Sequence, residues 1–171
     1  MRKPVLVLLT FVPIIVGYVV NLSLSLPVIG MVFFYLLPLF TTAFWFYLGR
    51  QYARSTWKTI PAILIGNATG IISLFIYLWQ FLLETGETRN LNLAAASQMF
   101  SASAPAYLFG RVAILFEKQP NYTGITTMVA LQVISVVYMI AVFSLAIFWE
   151  KRCLKMQLAS KQIPICRFYL I

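Results

Sequence analysis

Long apolar stretches alternate with short polar segments along the whole chain. Five such stretches cover residues 4–22, 28–48, 59–83, 93–116 and 123–149. At a rise of about 1.5 Å per residue, helices of these lengths reach about 28 to 40 Å, and the hydrocarbon core of a bilayer is about 30 Å thick. The pattern therefore predicts an all-α fold, a polytopic membrane bundle of five transmembrane helices that forms a single domain over 1–171 and ends in a basic tail, 150–171.

The stretch 59–83 is the one around which we expect the others to pack. It contains no charged residue, and its middle holds Gly66 and Gly70 on one helical face, with Asn67 and Thr69 between them. Two glycines four residues apart let another helix approach closely, and amide or hydroxyl side chains can hydrogen-bond across helices where little water competes. We therefore predict that Gly66 and Gly70 lie at a helix–helix contact.

The stretch 93–116 presents a second face of small residues. Ala102, Ala106 and Gly110 are spaced four apart, which is typical of a helix that packs closely against another. We expect this fourth helix to pack against the two glycines of the stretch 59–83.

Two residues bear on whether this stretch crosses the membrane. Pro105 frees a backbone carbonyl about one turn earlier, near Ser101, which serine hydroxyls or a neighbouring helix can satisfy inside a bundle. Arg111 would cost about 2.5 to 3.5 kcal/mol at a helix centre, although near an end its side chain can reach water. The alternative is four spans plus a re-entrant or surface helix at 91–116.

The distribution of basic residues favours that alternative. With the amino terminus inside, five spans leave about seven Lys and Arg residues on the inner side and six on the outer side, whereas four spans leave ten and three. Cytoplasmic segments carry the excess of Lys and Arg, so the charge rule favours four crossings while hydrophobic length favours five. The amino terminus is cytoplasmic in both arrangements. Of the two, we expect the one with five crossings.

Composition indicates an integral, multi-pass membrane protein, which we expect in the plasma membrane. Hydrophobic residues make up 61% of the chain and charged residues 10%, against about 45 to 50% and 25% in soluble domains. The net charge of +9 comes from basic residues that collect between the apolar stretches, as in cytoplasmic loops. We therefore predict no nucleic-acid partner.

The residue types present exclude most catalytic chemistry. The chain has no His and no Asp, and its four glutamates lie at predicted span ends: Glu84, Glu87, Glu117 and Glu150. Without His there is no Ser-His-Asp or Cys-His arrangement, and no carboxylate lies in mid-span to serve a proton or sodium pump. We predict no enzyme activity, no cofactor and no metal site.

Neutral polar residues inside the spans are the remaining candidates for function. Together with one arginine, they are candidates for solute or interhelical contacts: Asn67, Thr69, Gln98, Ser101, Arg111 and Gln132. One hypothesis is a non-catalytic accessory, assembly or regulatory subunit that acts through helix contacts. The alternative is a transporter or substrate-binding component for a small neutral or anionic solute, which a cavity lined by Asn67, Gln98 and Gln132 would favour.

The tail indicates which partners to expect. Its basic residues, Lys151, Arg152, Lys155, Lys161 and Arg167, would each gain about 1 kcal/mol near anionic lipid headgroups. This favours a cytoplasmic carboxyl terminus, with membrane lipids as partners near the tail. Other membrane subunits and self-association are further candidates. Cys153 and Cys166 are interpreted as free thiols, since their spacing suits neither a zinc site nor a redox pair.

Overall fold

The computed structural model describes residues 2–113, 115, 117 and 123–159, and only the backbone of Arg111, Leu158 and Ala159. This part of the chain is helical and contains no strand, which confirms the all-α class. Its elements are α1 (Lys3–Leu9), α2 (Val12–Ser23), α3 (Pro27–Ala53), α4 (Thr59–Gly66), α5 (Ala68–Leu78) with a π-helical turn (Trp79–Leu83), α6 (Leu91–Ala102), a 3₁₀ turn (Pro105–Phe109), α7 (Gly110–Ala113) and α8 (Ile125–Ala159).

Three helical segments in these residues are long and apolar enough to cross a membrane. They are α1 and α2 taken together (Lys3–Ser23), α3, and most of α8 (Ile125–Gln157). A fourth would be the pair α4 and α5, if its bend of 51° lies within one span. The structure is therefore compatible with a membrane protein, and it does not confirm a bundle of five spans.

The expected fourth span is broken into pieces, so the prediction of one continuous helix over 93–116 is wrong. α6 ends at Ala102, and Ala104 has an extended backbone (φ −95°, ψ 142°) before the 3₁₀ turn that begins at Pro105. Proline disfavours the helical conformation in the residue that precedes it, which explains the position of the break. Residues 114 and 116 lie outside the described part.

The bend between α4 and α5 is made by Asn67. Its backbone leaves the helical region (φ −106°, ψ 8°). Both its N–H and its side-chain amide donate to the carbonyl of Ile63, at 3.1 and 2.9 Å. Asparagine side chains compete in this way for backbone groups, so the bend is a local property of the sequence.

Aromatic rings join α3, α6 and α8 in the core. The Trp45 ring lies 5.7 Å from that of Phe100 and 5.5 Å from that of Phe143, and Tyr52 contacts Phe143 at 5.3 Å. All four rings are buried. Such pairs add about 0.5 to 1.5 kcal/mol each to the burial of their area, so this cluster fixes α8 against α3.

The outer faces of the helices are covered with large apolar side chains. On α8 alone the exposed ones are Ile125, Ile134, Val137, Leu145, Phe148, Trp149 and Met156. Soluble monomers rarely expose contiguous apolar surface on this scale. These faces suit contact with lipid or with another membrane helix.

The first helix, the loop after α3 and the end of α8 meet at one end of the bundle, here called the basic end. The Lys3 ammonium lies 5.9 Å from the centre of the Trp57 ring. The Lys151 ammonium donates to the Thr59 hydroxyl at 2.5 Å. At the opposite end, α5 and α6 form a hairpin closed by Gln80, whose side chain accepts from the Asn90 N–H at 2.9 Å.

Candidate functional site

The buried amide of Asn67 links the bent span to α3. The Trp45 indole N–H donates to the Asn67 side-chain oxygen at 3.2 Å, and the Asn67 amide nitrogen donates to Ile63 as described above. Asn67 is 1% exposed and Trp45 fully buried. The oxygen of this side chain therefore links the bent span to α3, and its nitrogen stabilises the bend within the span.

Two hydroxyls make further bonds from α5 to the backbone of neighbouring helices. Thr69 donates to the carbonyl of Thr10, at the break between α1 and α2, at 2.9 Å. Ser73 donates to the carbonyl of Ser97 in α6 at 2.7 Å. Each bond satisfies a carbonyl in a neighbouring helix, so α5 connects the first span with α6.

Gln132 in α8 lies against the end of α6 and is only partly satisfied. The Ser101 hydroxyl donates to the Gln132 side-chain oxygen. The Gln132 amide nitrogen and the hydroxyl of Ser135 have no hydrogen-bond partner among the described residues, although both side chains are fully buried. Because the two residues are three apart on α8, they share one face. A water molecule or the acceptor atom of a neutral solute could meet this unused capacity.

Among the predicted polar residues whose side chains are described, Gln98 does not join these contacts. Gln98 is half-buried on α6, and the side chain of Arg111 lies outside the described part. Two grooves run beside α6, and neither is lined by Asn67, Gln98 or Gln132. Instead, Asn67 bonds to Trp45 in α3, and Gln132 bonds to Ser101 in α6.

The predicted glycines of the bent span both lie at helix contacts. A Cβ added to Gly70 would lie 2.5 Å from the ring of Phe100 in α6, and one added to Gly66 would overlap the ring of Phe143 in α8. Gly70 therefore faces α6, as expected for the segment 93–116, whereas Gly66 faces α8.

The second set of small residues lies in separate elements. Ala102 and Ala106 are buried, but the break at Ala104 lies between them. A Cβ added to Gly110 would lie 3.3 Å from the Leu131 side chain in α8. The three residues therefore do not form the single helical face that their spacing indicates.

An ion-pair cluster at the basic end was not anticipated from the sequence. The Glu150 carboxylate, 2% exposed, accepts from Nε of Arg50 at 2.6 Å and from Nε of Arg54 at 2.6 Å. The two arginines are four residues apart and share a face of α3, which is the only sequence signal for a common partner. The five-span arrangement would put Arg50 and Glu150 on opposite sides of the bilayer.

Two further glycines, Gly17 and Gly49, allow close backbone approaches. A Cβ on Gly17 in α2 would overlap the carbonyl of Met99 in α6. One on Gly49 in α3 would lie 2.7 Å from the carbonyl oxygen of Phe143. A lone glycine in an apolar stretch is a weak signal, because it does not show which helix approaches it.

The start of α8 is capped by a glutamate from the preceding loop. Glu117 accepts from the Thr127 hydroxyl and, at 3.0 Å, from the N–H of Gly124. These two hydrogen bonds lower the pKa of the Glu117 carboxyl. The charge also suits the positive end of a helix dipole, so Glu117 orders the entry into α8.

The described residues provide interhelical hydrogen bonds, tight backbone contacts and a buried carboxylate paired with two arginines. Among the described residues, no group of three or more His, Cys, Asp or Glu side chains could hold a metal ion. No protein-family model matches the chain, and neither curated proteins nor solved structures give a match.

Proposed function

We propose that this chain is an integral, multi-pass membrane protein that works without catalysis, as an accessory, assembly or regulatory subunit that acts through helix contacts. The observation that carries the proposal is the use of polar side chains inside the bundle. Asn67, Thr69 and Ser73 hydrogen-bond between helices, while apolar side chains cover the outer faces. This is the pattern of a protein that offers its surface to lipid or other helices.

The proposed topology has four crossings, formed by α1 with α2, by α3, by α4 with α5, and by α8. The segment 91–113 then enters from the end opposite the basic end, turns at Ala104 and returns. An even number of crossings is supported by the contacts of Lys3 with Trp57 and of Lys151 with Thr59, which bring the start of the chain and the end of α8 together.

The charge distribution supports a basic end that faces the cytoplasm, and we propose the plasma membrane as the location. In this topology Arg89, Arg111 and Lys118 lie on the outer side and the other ten of the thirteen basic residues on the inner side. Such an excess is typical of the cytoplasmic face. Exposed Arg152 and Lys155 on α8 are then placed to attract anionic headgroups. Lys161 and Arg167 of the tail lie outside the described residues.

The topology predicts which introduced cysteines react in intact cells. In a Cys153→Ser, Cys166→Ser background, Gly86→Cys should react with a membrane-impermeant maleimide, and Lys155→Cys should react only after permeabilisation. Both positions are exposed, whereas native Cys153 is buried and would react poorly on either side. Equal labelling of both variants in sealed cells would rule out four crossings with the carboxyl terminus inside.

The proposed function predicts a protein neighbour on one outer face of the bundle. A photoreactive residue placed in turn at Tyr18, Phe40, Phe75 and Leu145 samples the exposed faces of α2, α3, α5 and α8. We expect one of the four positions to give a discrete protein adduct, to another subunit or to a second copy, while the others give lipid adducts. The four positions serve as controls for one another.

The partly satisfied pair Gln132 and Ser135 favours a second candidate, a transport component for a small neutral solute. A mid-bundle site beside a broken helix is where such proteins bind their substrates. Lipid adducts at all four positions, together with solute flux in proteoliposomes that falls in Gln132→Leu and in Ser135→Ala, would overturn the first proposal and support this one.

A further inference from the structure

An apolar groove of about 350 Å³ lies between the first span, the bent span and α6. It extends past the two places where the flanking spans deviate from a straight helix, at Thr10 and beside Asn67. Exposed Phe11 and Ile72 lie along it, so it opens at the side of the molecule. In the proposed topology this opening faces the hydrocarbon core of the bilayer.

Every side-chain hydroxyl that lines the groove is already bonded within the protein. Thr10 donates to the carbonyl of Val7 at 2.7 Å and Thr69 to that of Thr10 at 2.9 Å. Ser73 donates to the carbonyl of Ser97 at 2.7 Å, and the Ser97 hydroxyl donates to its own helix at 2.7 Å. An occupant therefore finds no unused donor in these hydroxyls, and an apolar one fits best.

The size of the groove suits a flexible acyl chain. A methylene group is close in size to a water molecule, whose share of liquid volume is about 30 Å³. The groove therefore holds about a dozen methylene-sized groups, which corresponds to much of one acyl chain.

A second groove, of about 430 Å³, continues from the first toward the end opposite the basic end. The two share Ile14 and Ala96, and the second is bordered by Tyr18 and Asn92 near the start of α6. Tyrosine and asparagine at this level suit the interface with lipid headgroups. The path thus runs from the outer headgroup layer down to the middle of the bundle.

We propose that one acyl chain of an outer-leaflet phospholipid is bound in this path, as a lipid that stays with the protein rather than exchanging with the bulk membrane. The chain would fill the space that the two broken spans leave beside α6. This inference concerns the lipid partner and does not depend on whether the protein acts as a subunit or as a transporter.

Native mass spectrometry of the full chain tests this after reconstitution with phosphatidylcholine and re-extraction in mild detergent. We expect one phosphatidylcholine retained per chain, and loss of at least tenfold in occupancy in Ala96→Phe, whose ring would fill the junction of the two grooves. Ala141→Phe, on the exposed face of α8, is the matched control and should retain the lipid. The proposal is overturned if the wild-type protein retains no phosphatidylcholine, or if the two variants retain it equally.

A second measurement uses wild-type protein, so it does not depend on the folding of any variant. A phosphatidylcholine with a photoreactive group in the acyl chain should give adducts concentrated on peptides from α2, α5 and α6. Adducts spread evenly over all helices, including the outer face of α8, would show that the groove holds only exchanging bulk lipid and would contradict the proposal.

Discussion

Replacement of Glu150 by glutamine is expected to lower the free energy of unfolding by about 3 kcal/mol. Removal of one partner from a buried ion pair costs about 3 to 5 kcal/mol, because the remaining charge is left without compensation. Here the side chain of Arg50 is 14% exposed and would lose the Glu150 carboxylate at a largely buried position, whereas that of Arg54 is 48% exposed and can turn toward water. The lower end of the range therefore applies.

Unfolding in a graded series of detergent mixtures, followed by circular dichroism, measures this effect. Glu87→Gln makes the same chemical change at an exposed loop position and should leave stability within about 0.5 kcal/mol of wild type. The exchange Arg50→Glu with Glu150→Arg should recover part of the loss. Equal stability of the Glu150 and Glu87 variants would show that α3 and α8 do not meet through this carboxylate.

Gly17→Ala is expected to prevent stable packing of α6 against α2. The loss in the free energy of unfolding should exceed the ~1 to 3 kcal/mol that is typical of overpacking. The added methyl would overlap the carbonyl group of Met99, which belongs to a helical backbone and cannot rotate away. At Gly66 the added methyl meets the ring of Phe143, a side chain that can tilt. We therefore expect Gly66→Ala to cost less than Gly17→Ala.

The yield of monodisperse protein and its thermal midpoint in detergent distinguish these cases. Gly86→Ala is the control, because a Cβ at that loop position meets nothing within 4 Å and the change should be nearly silent. If Gly17→Ala has the same yield and thermal midpoint as Gly86→Ala, then α2 and α6 are not as close to each other as they are in the structure.

The helical class could be predicted because its signals are local. A run of apolar residues long enough to cross a bilayer must satisfy its own backbone, and only a helix does so within one segment. A helix contact at Gly70, which the structure makes with Phe100, could also be predicted from a local signal. A missing side chain on one face makes room for a neighbouring helix.

The break at Ala104 and the partner of Glu150 could not be predicted in this way. Hydrophobic length treats 93–116 as a crossing, although the nearly even distribution of basic residues that five spans produce indicated otherwise. A re-entrant chain is stable only where surrounding helices satisfy its backbone, and that depends on residues distant in sequence. Likewise, Glu150 can meet Arg50 only if the number of crossings is even, which no local pattern decides.

The ion-pair cluster can form only after a delay during synthesis, because Glu150 is made later than the two arginines. Arg50 and Glu150 are 100 residues apart, and ribosomes add about 5 to 20 residues per second. For about 5 to 20 seconds, two arginines at the end of α3 therefore lack the carboxylate that pairs with both of them in the folded protein. During that interval they can extend toward lipid phosphates, which in the proposed topology would hold the basic end of α3 on the cytoplasmic side before α8 has been made. The two arginines that later join α3 to α8 through the ion-pair cluster would thus first act as an orientation signal for the nascent chain.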